Sequence, residues 1–268
     1  MFINTEPFMW TVNFIFNFNE PENKKMLLFF IWLIFISIFV LLALNLFKDK
    51  PKTARDLNIR RKYYHFLAVL IFLPGYILDP NFMHLAFSFA TSAMIMLEYI
   101  RYFRVWPIGD YLQKFLILFV DSKDSGPAIL SHIYLIIGCA LPVWISRFRG
   151  ISFSVSGLCG IITLGVGDSM ASVFGQKFGR YKWPNSNKTI EGSVAFVLSV
   201  FFIYTIILIK AVPDFNYLEV VKIFVISVIT ALLEGISNQN DNVILPLFMM
   251  SLVNMLNYEN SHHFSSTI

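Results

Sequence analysis

Between Gly165 and Ser193 the sequence reads GVGDSMASVFGQKFGRYKWPNSNKTIEGS, and this stretch holds the residues best suited to chemistry. Asp168 stands at the edge of an apolar run, and Lys177, Arg180, Lys182 and Lys188 follow in a short polar loop. Cations of that kind bind phosphates, and a carboxylate beside them can carry a divalent metal or take a proton. Read as a helix, Gly167, Ala171, Gly175 and Gly179 recur at every fourth residue and form a smooth ridge. Asp168 and Ser172 share a similar face. Such a ridge lets a second helix or a ligand backbone approach closely. Trp183-Pro184 breaks the helix, and Asn187 or Thr189 can cap a new one beside Lys188, which suits an anion. The stretch therefore reads as a phosphate-handling loop at a membrane surface. Two plainer readings stay open: small residues at this spacing also serve membrane helix packing, and basic loops also set topology.

Four further polar patches border apolar sequence, where ionisable groups are expensive and each is a candidate site. Arg60-Arg61-Lys62-Tyr63-Tyr64-His65 is the first, with Lys62 and His65 singled out; basic and aromatic residues also anchor helices at headgroups. The second is Glu98-Tyr99-Ile100-Arg101, where Glu98 and Arg101 lie three apart and suit a structural ion pair. The third runs from Asp121 through Asp124 to Gly126-Pro127, with Ser131-His132 just beyond. Its carboxylates suit a metal or a base, and its composition equally suits a plain turn. The fourth, Glu234-Gly235 through Asn238, Gln239, Asn240, Asp241 and Asn242 to Pro246, is a carboxamide-rich loop able to hydrogen-bond a base or sugar. A polar turn between helices has the same composition. Phosphoryl transfer needs this mixture of cations, a carboxylate-held metal and a base near an acceptor hydroxyl. No Walker loop and no protein-kinase glycine loop is present, so a nucleotide site here is of another design.

The elements that must position these residues are membrane helices. The chain has 268 residues, 56% of them hydrophobic and only 14% charged, with mean hydropathy +0.64. These values imply an all-α, polytopic membrane protein of about seven to nine transmembrane helices in a lipid bilayer. Eight spans are expected near 26–47, 66–78, 83–100, 129–145, 151–173, 193–212, 218–234 and 243–257, with 111–120 too short to cross and expected to lie at the interface or re-enter. Residues 48–62 form a basic loop with seven cationic residues against two carboxylates. The basic residues cluster between apolar segments rather than along one polar face, which argues against nucleic acid. Cys139 and Cys159 lie in apolar sequence and suit packing. Residues 1–25 lack the pattern of a signal peptide. With the N-terminus lumenal, loops 48–65, 101–128 and 174–192 become cytosolic, with Arg147 and Arg149 dissenting. The sequon Asn187-Lys188-Thr189 is then expected to be bare.

GDSMASVFGQKFGR followed by WP, NKT and EGS resembles the nucleotide-binding region of the CTP-dependent lipid kinases, most closely the dolichol kinase family. RKYYHF at 61–66, LEYIRYFRVWPIG at 97–109, DSGPAILSHIYLIIG at 124–138 and NQNDNVILPL at 238–247 extend the resemblance over roughly 57–257. It implies an endoplasmic reticulum membrane enzyme, its nucleotide site facing the cytosol. Such an enzyme moves the γ-phosphate of CTP to the hydroxyl of dolichol or another polyprenol, and the dolichyl phosphate made serves protein glycosylation. It also implies a divalent metal, Mg²⁺ or Ca²⁺. The family's CTP region maps onto Gly167, Gly175, Gln176, Lys177, Phe178, Gly179, Arg180, Tyr181, Lys182, Trp183, Pro184, Asn185, Ser186, Asn187, Lys188, Thr189, Ile190 and Glu191. On this reading Lys188, Arg180 and Lys182 hold the triphosphate. Asp168 holds the metal, with Asp124 or Glu191 as second carboxylate. Asp168, Asp124 and His132 are unranked candidates for the base. Asn185 stands where the family carries Gly, and Asn187 where it carries Lys. Residues 1–56 read as an N-terminal segment with one anchor helix, 57–257 as the kinase domain and 258–268 as a polar tail. The family carries a longer membrane region ahead of this domain, so a shortened form is expected. The competing readings are a CTP-dependent diacylglycerol or phytol kinase, and a transporter with Asp168, Glu98 and Glu234 as intramembrane ion sites.

Overall fold

A computed structural model describes residues 6–16, 24–47, 51, 53–117, 127–149, 153–211, 216–237 and 240–255. Ten α-helices are found there: α1 (Pro7–Ile15), α2 (Lys24–Leu46), α3 (Ala54–Leu78), α4 (Pro80–Tyr102), α5 (Gly109–Leu116), α6 (Ser131–Phe148), α7 (Ser169–Phe178), α8 (Ile190–Ala211), α9 (Tyr217–Ile236) and α10 (Asp241–Met255). Among the described residues the only extended pairing is a single bridge between Lys182 and Thr189. The all-helical expectation holds.

Four helices are long and apolar enough by themselves to cross a membrane: Lys24–Leu46, Pro80–Tyr102, Ser131–Phe148 and Ile190–Lys210. Asp241–Met255 is apolar but shorter. The eight expected spans thus divide. α3 misses because its first turns carry Arg60, Arg61 and Lys62, and α9 because it carries Glu219, Lys222 and Glu234. Residues 54–62, expected as loop, are instead the opening of α3. The Thr53 hydroxyl accepts from the Asp56 amide at 3.1 Å and caps that helix, and Asp56 pairs with Arg60 at 3.3 Å one turn on. α3 therefore runs unbroken across 56–57, where the sequence organisation was expected to change.

The core forms where α4, α6, α8, α9 and α10 surround a central helical path from Ser156 to Ala171. Leu158, Ile161, Ile162 and Leu164 on that path are fully buried, as are Phe196, Val200 and Tyr204 of α8. Both cysteines are buried and neither forms a disulfide; Tyr204 Oη lies 3.1 Å from Cys159 Sγ. The expected span at 151–173 is not one regular helix. It opens as a 3₁₀ turn at Ser156–Leu158 and widens into a π-helix over Ile161–Asp168 before becoming α7. A π segment leaves carbonyls less well satisfied, and the Thr163 hydroxyl donates to the Cys159 carbonyl at 2.5 Å. Its start is pinned by Tyr76 of α3, whose hydroxyl donates to the Ser154 carbonyl at 3.2 Å and accepts from the Ser154 amide at 3.1 Å. α2 fully buries only Leu28 and Ala43, and Trp32 and Phe39 pack on Phe82 and Tyr63; most of its remaining surface is exposed, as suits lipid.

Candidate functional site

Asp168 is the last residue of the π-helical stretch, and α3 packs against that stretch. Asn58, Arg61, Lys62 and His65 recur on one face of α3 at spacings of three and four. Lys62 Nζ forms an ion pair with Asp168 Oδ2, and His65 Nε2 lies 3.3 Å from the same oxygen. His65 Nδ1 is held 3.0 Å from the Arg61 carbonyl. One turn into α7, Ser172 accepts from Asn58 Nδ2 at 2.6 Å. A half-buried carboxylate and ammonium and a buried imidazole therefore meet between two helices, which α3 can supply because its basic turns are helical.

The loop after α7 folds into a small hairpin. Ile190 N donates to Tyr181 O at 2.9 Å, Trp183 N to Lys188 O at 3.0 Å, and Ser186 N to Trp183 O at 3.2 Å. Asn185 supplies the left-handed residue of this turn at φ 56°, a geometry that Asn tolerates better than most residues. Thr189 caps α8, its hydroxyl accepting from Gly192 N at 3.2 Å. Asn187, the alternative cap, lies two residues too early. The hairpin sits on α7 because Gly175 has no side chain: a Cβ there would stand 2.8 Å from Thr189 Oγ1. It also sits on the end of α9, where the Trp183 ring covers Gly235 and Trp183 Nε1 donates to Ser193 Oγ at 2.9 Å.

Lys188 points from the hairpin to the α9–α10 corner. Its ammonium donates to the Glu234 carbonyl at 2.6 Å and to Asp241 Oδ2 at 2.6 Å, and lies 3.1 Å from Glu234 Oε1. Burial by itself would lower the Lys188 pKa, but the charges of Glu234 and Asp241 outweigh it and raise the pKa above the ordinary lysine value.

These groups border one cavity of about 650 Å³. Asn58, Arg61 and Lys62 come from α3, Ser131 and Tyr134 from α6, and Asp168, Ala171, Ser172, Gly175 and Gln176 from the π-helix and α7. Asn187, Lys188, Thr189 and Gly192 come from the hairpin and α8, and Glu234, Asn240, Asp241 and Asn242 from the α9–α10 corner. Three cations thus face three carboxylates. This mixture can neutralise and position a polyanion while keeping carboxylates at hand for a metal or a proton.

The structure brings together some expected residues and sets others aside. Of the run from Gln176 to Glu191, only Gln176, Asn187, Lys188 and Thr189 line the cavity. Lys177, Phe178, Arg180, Tyr181, Lys182, Trp183, Pro184, Asn185, Ser186, Ile190 and Glu191 do not. Arg180 and Lys182 therefore do not border the space that Lys188 reaches. Glu191, expected as a metal ligand, instead accepts from the amides of Arg180 at 2.9 Å and Tyr181 at 3.2 Å, and so fastens the hairpin to α8. The glycine ridge is shorter than expected. Gly179 ends α7 in extended backbone, and Gly167 faces Phe196 of α8 rather than the cavity. Glu98 and Arg101 form a buried pair outside the cavity, with Arg101 Nε and Nη2 donating to Glu98 at 2.8 and 2.6 Å. His132 does not line the cavity, although its neighbour Ser131 does. Asp241 and Asn242 open α10 rather than lying in a loop, and Pro246 falls inside that helix. Asp121, Asp124, Asn238 and Gln239 lie outside the described residues. Asn58 and Tyr134 were not singled out from sequence. Asn58 stands one helical turn before Arg61 and Lys62, a signal usable only once α3 is known to start at Ala54.

The family model described as dolichol kinase matches residues 1–183. The chain is 40% identical over 258 residues to dolichol kinase sec59 of Schizosaccharomyces pombe, covering 93% of this chain and 51% of that protein. It is 36% identical over 254 residues to dolichol kinase EVAN of Arabidopsis thaliana, covering 93% and 43%. To the dolichol kinase of Homo sapiens it is 33% identical over 263 residues, covering 94% and 48%. The chain spans about half the length of the curated relatives it matches. No solved structure matches it.

Proposed function

The chain belongs to the dolichol kinase family, and from that premise we propose that it transfers the γ-phosphate of CTP to the hydroxyl of dolichol, giving dolichyl phosphate for protein glycosylation. The observation that carries this reading is the cavity itself. In a chain of apolar helices, separate segments converge Arg61, Lys62 and Lys188 on Asp168, Glu234 and Asp241. Ionisable groups gathered at membrane helix ends mark function.

Phosphoryl transfer is mostly positioning and charge stabilisation, so the residues divide by what they hold. Lys188 and Arg61 bind the triphosphate from opposite walls. Asn240 and Asn242, with Asn187, offer carboxamides to base and sugar. Asp168 faces the acceptor hydroxyl, with Lys62 and His65 fixing its carboxylate. The acceptor's polyprenyl tail stays in the bilayer while its hydroxyl reaches the cavity from the side.

A divalent metal fits this donor set with one or two protein carboxylates. Among the described residues no group of three His, Cys, Asp or Glu side chains is arranged to hold an ion. Mg²⁺ in nucleotide sites takes one or two carboxylates and completes its shell with phosphates and water. Asp168, whose contacts with Lys62 and His65 both fall on Oδ2, is one such carboxylate, and Asp241 is the second. When bound, the metal would neutralise charge on the phosphates.

We further place the chain as a multi-pass protein of the endoplasmic reticulum with about eight membrane segments, α3, α9 and α10 completing the four self-sufficient spans together with the central path. The cavity faces the cytosol, and the kinase unit covers 57–257. The reading is tested by offering the purified chain CTP or ATP with dolichol, diacylglycerol or phytol. Phosphorylation of dolichol from CTP is expected. Preference for another alcohol would reassign the acceptor, and no phosphorylated lipid at all would refute the proposal.

A further inference from the structure

The corner between α4 and α5 carries an aromatic surface that the cavity does not use. Phe103, Val105, Ile108 and Tyr111 are all exposed, and Trp106 is 89% exposed. Scattered apolar side chains need no explanation, but a contiguous apolar patch does. The chain is bent here by Arg104, at φ 49°, which folds α5 back against the end of α4. The bend is firmly tied. Val105 N donates to Ile100 O at 3.0 Å, Gly109 N to Val105 O at 2.8 Å, and Arg101 Nη1 to Gln113 Oε1 at 2.5 Å.

What covers this patch follows from where it starts. α4 is long and apolar enough to cross a membrane, and Phe89, Ile95, Met96 and Tyr99 leave its outer face exposed. That face runs on without a break, since the Tyr99 ring stacks on Phe103 at 6.0 Å and Tyr102 meets Phe103 edge-on at 5.0 Å. The helix end is also where the bilayer surface must lie. α5 has eight residues, about 12 Å of helix, too short to cross. Exposed Arg104 and Lys114 stand beside the aromatic residues, with Asp110 as the one exposed carboxylate among the described residues of the corner. Tryptophan and tyrosine beside cations form the composition that settles at headgroup depth.

We infer that the α4–α5 corner is an interfacial anchor, which sinks Trp106 and Tyr111 into the headgroup zone of the leaflet on the cavity side. Its buried strut ties this depth to the cavity. Arg101 Nη2 donates to the Pro127 carbonyl at 2.8 Å, and Glu98 Oε1 accepts from Ile129 N at 2.8 Å, just ahead of cavity-lining Ser131. The anchor thus fixes the height of the cavity wall over the lipid surface. The structural claim stands apart from the proposed kinase reaction.

The test uses the full chain in phospholipid nanodiscs, spin-labelled at Trp106→Cys and, separately, at Tyr111→Cys. Both native cysteines are fully buried, so labelling is confined to the new site, and both substituted positions are exposed, so folding is spared. Collision with oxygen, which concentrates in lipid, is compared with collision with an aqueous nickel chelate. The anchor predicts that both labels sit at headgroup depth, with oxygen access raised and chelate access cut relative to a label in water. Full chelate access would overturn the inference by placing the corner in solvent. Shielding from both reagents would overturn it equally, by showing that protein covers the patch.

Discussion

Asp168 is held by two partners of different kinds, the Lys62 ammonium and the His65 ring, and its charge is matched inside the protein rather than by water. Asp168→Asn keeps the shape and removes the charge. We expect it to abolish turnover while circular dichroism still reports the helical content of the wild type. Lys188 makes a different prediction. A charge-assisted hydrogen bond contributes about 1.5–3 kcal/mol, so Lys188→Ala should raise the KM for CTP by roughly tenfold or more, with a smaller effect on kcat. Unchanged KM would remove Lys188 from the phosphate site. The pH dependence follows from the raised pKa of Lys188. A cation whose native pKa lies above its unfolded value contributes fully below the ordinary lysine value, and loses that contribution as pH rises through the native one. CTP affinity should therefore show no lysine-type loss between pH 7 and the ordinary lysine range near ~10.4, as measured by nucleotide titration. Asp168 and Lys188 were legible because acids and bases stand out in apolar sequence. Arg180 and Lys182 stood out in the same way but do not line the cavity, because composition places a cation in a loop without saying which way the loop faces.

At the scale of elements, the hairpin between α7 and α8 carries Lys188, and its seat depends on two positions without side chains. A Cβ at Gly235 would stand 2.5 Å from Trp183 Nε1, so Gly235→Ala must displace the indole or the end of α9. Overpacking of this kind costs about 1–3 kcal/mol. The expected outcome is weaker CTP binding from a correctly inserted protein, with Trp183 fluorescence altered; unchanged binding would show that the hairpin does not depend on this seat. Long apolar helices such as α2 and α4 could be read within a few residues, because an apolar run of that length with charges only near its ends has one stable state in lipid. The start of α3 could not, since its basic turns have the composition of a loop and are helical only because Thr53 caps them and Asp168 partners Lys62. The π-helix gave no signal in sequence. It arises where the path from Gly160 to Gly167 is pressed between α3, α6 and α8, a tertiary effect beyond any local pattern.

Across the whole molecule, the start of α3, the start of α6, the hairpin, the end of α9 and the start of α10 gather at one cavity. Basic loops expected on one side of the membrane contribute to this cavity, namely the start of α3 and the hairpin. Under the proposed topology the cavity meets the cytosol, so the sequon at Asn187, which lines it, should remain unglycosylated in cells. A glycan there, detected as a shift on enzymatic deglycosylation, would put the cavity across the membrane from cytosolic nucleotide. The central claim is that this cavity transfers phosphate, and it is tested most directly by incubating γ-labelled CTP and dolichol with the purified chain and with its Asp168→Asn variant. Label is expected in dolichyl phosphate with the former and not with the latter; equal labelling by both, or none by either, would contradict the account.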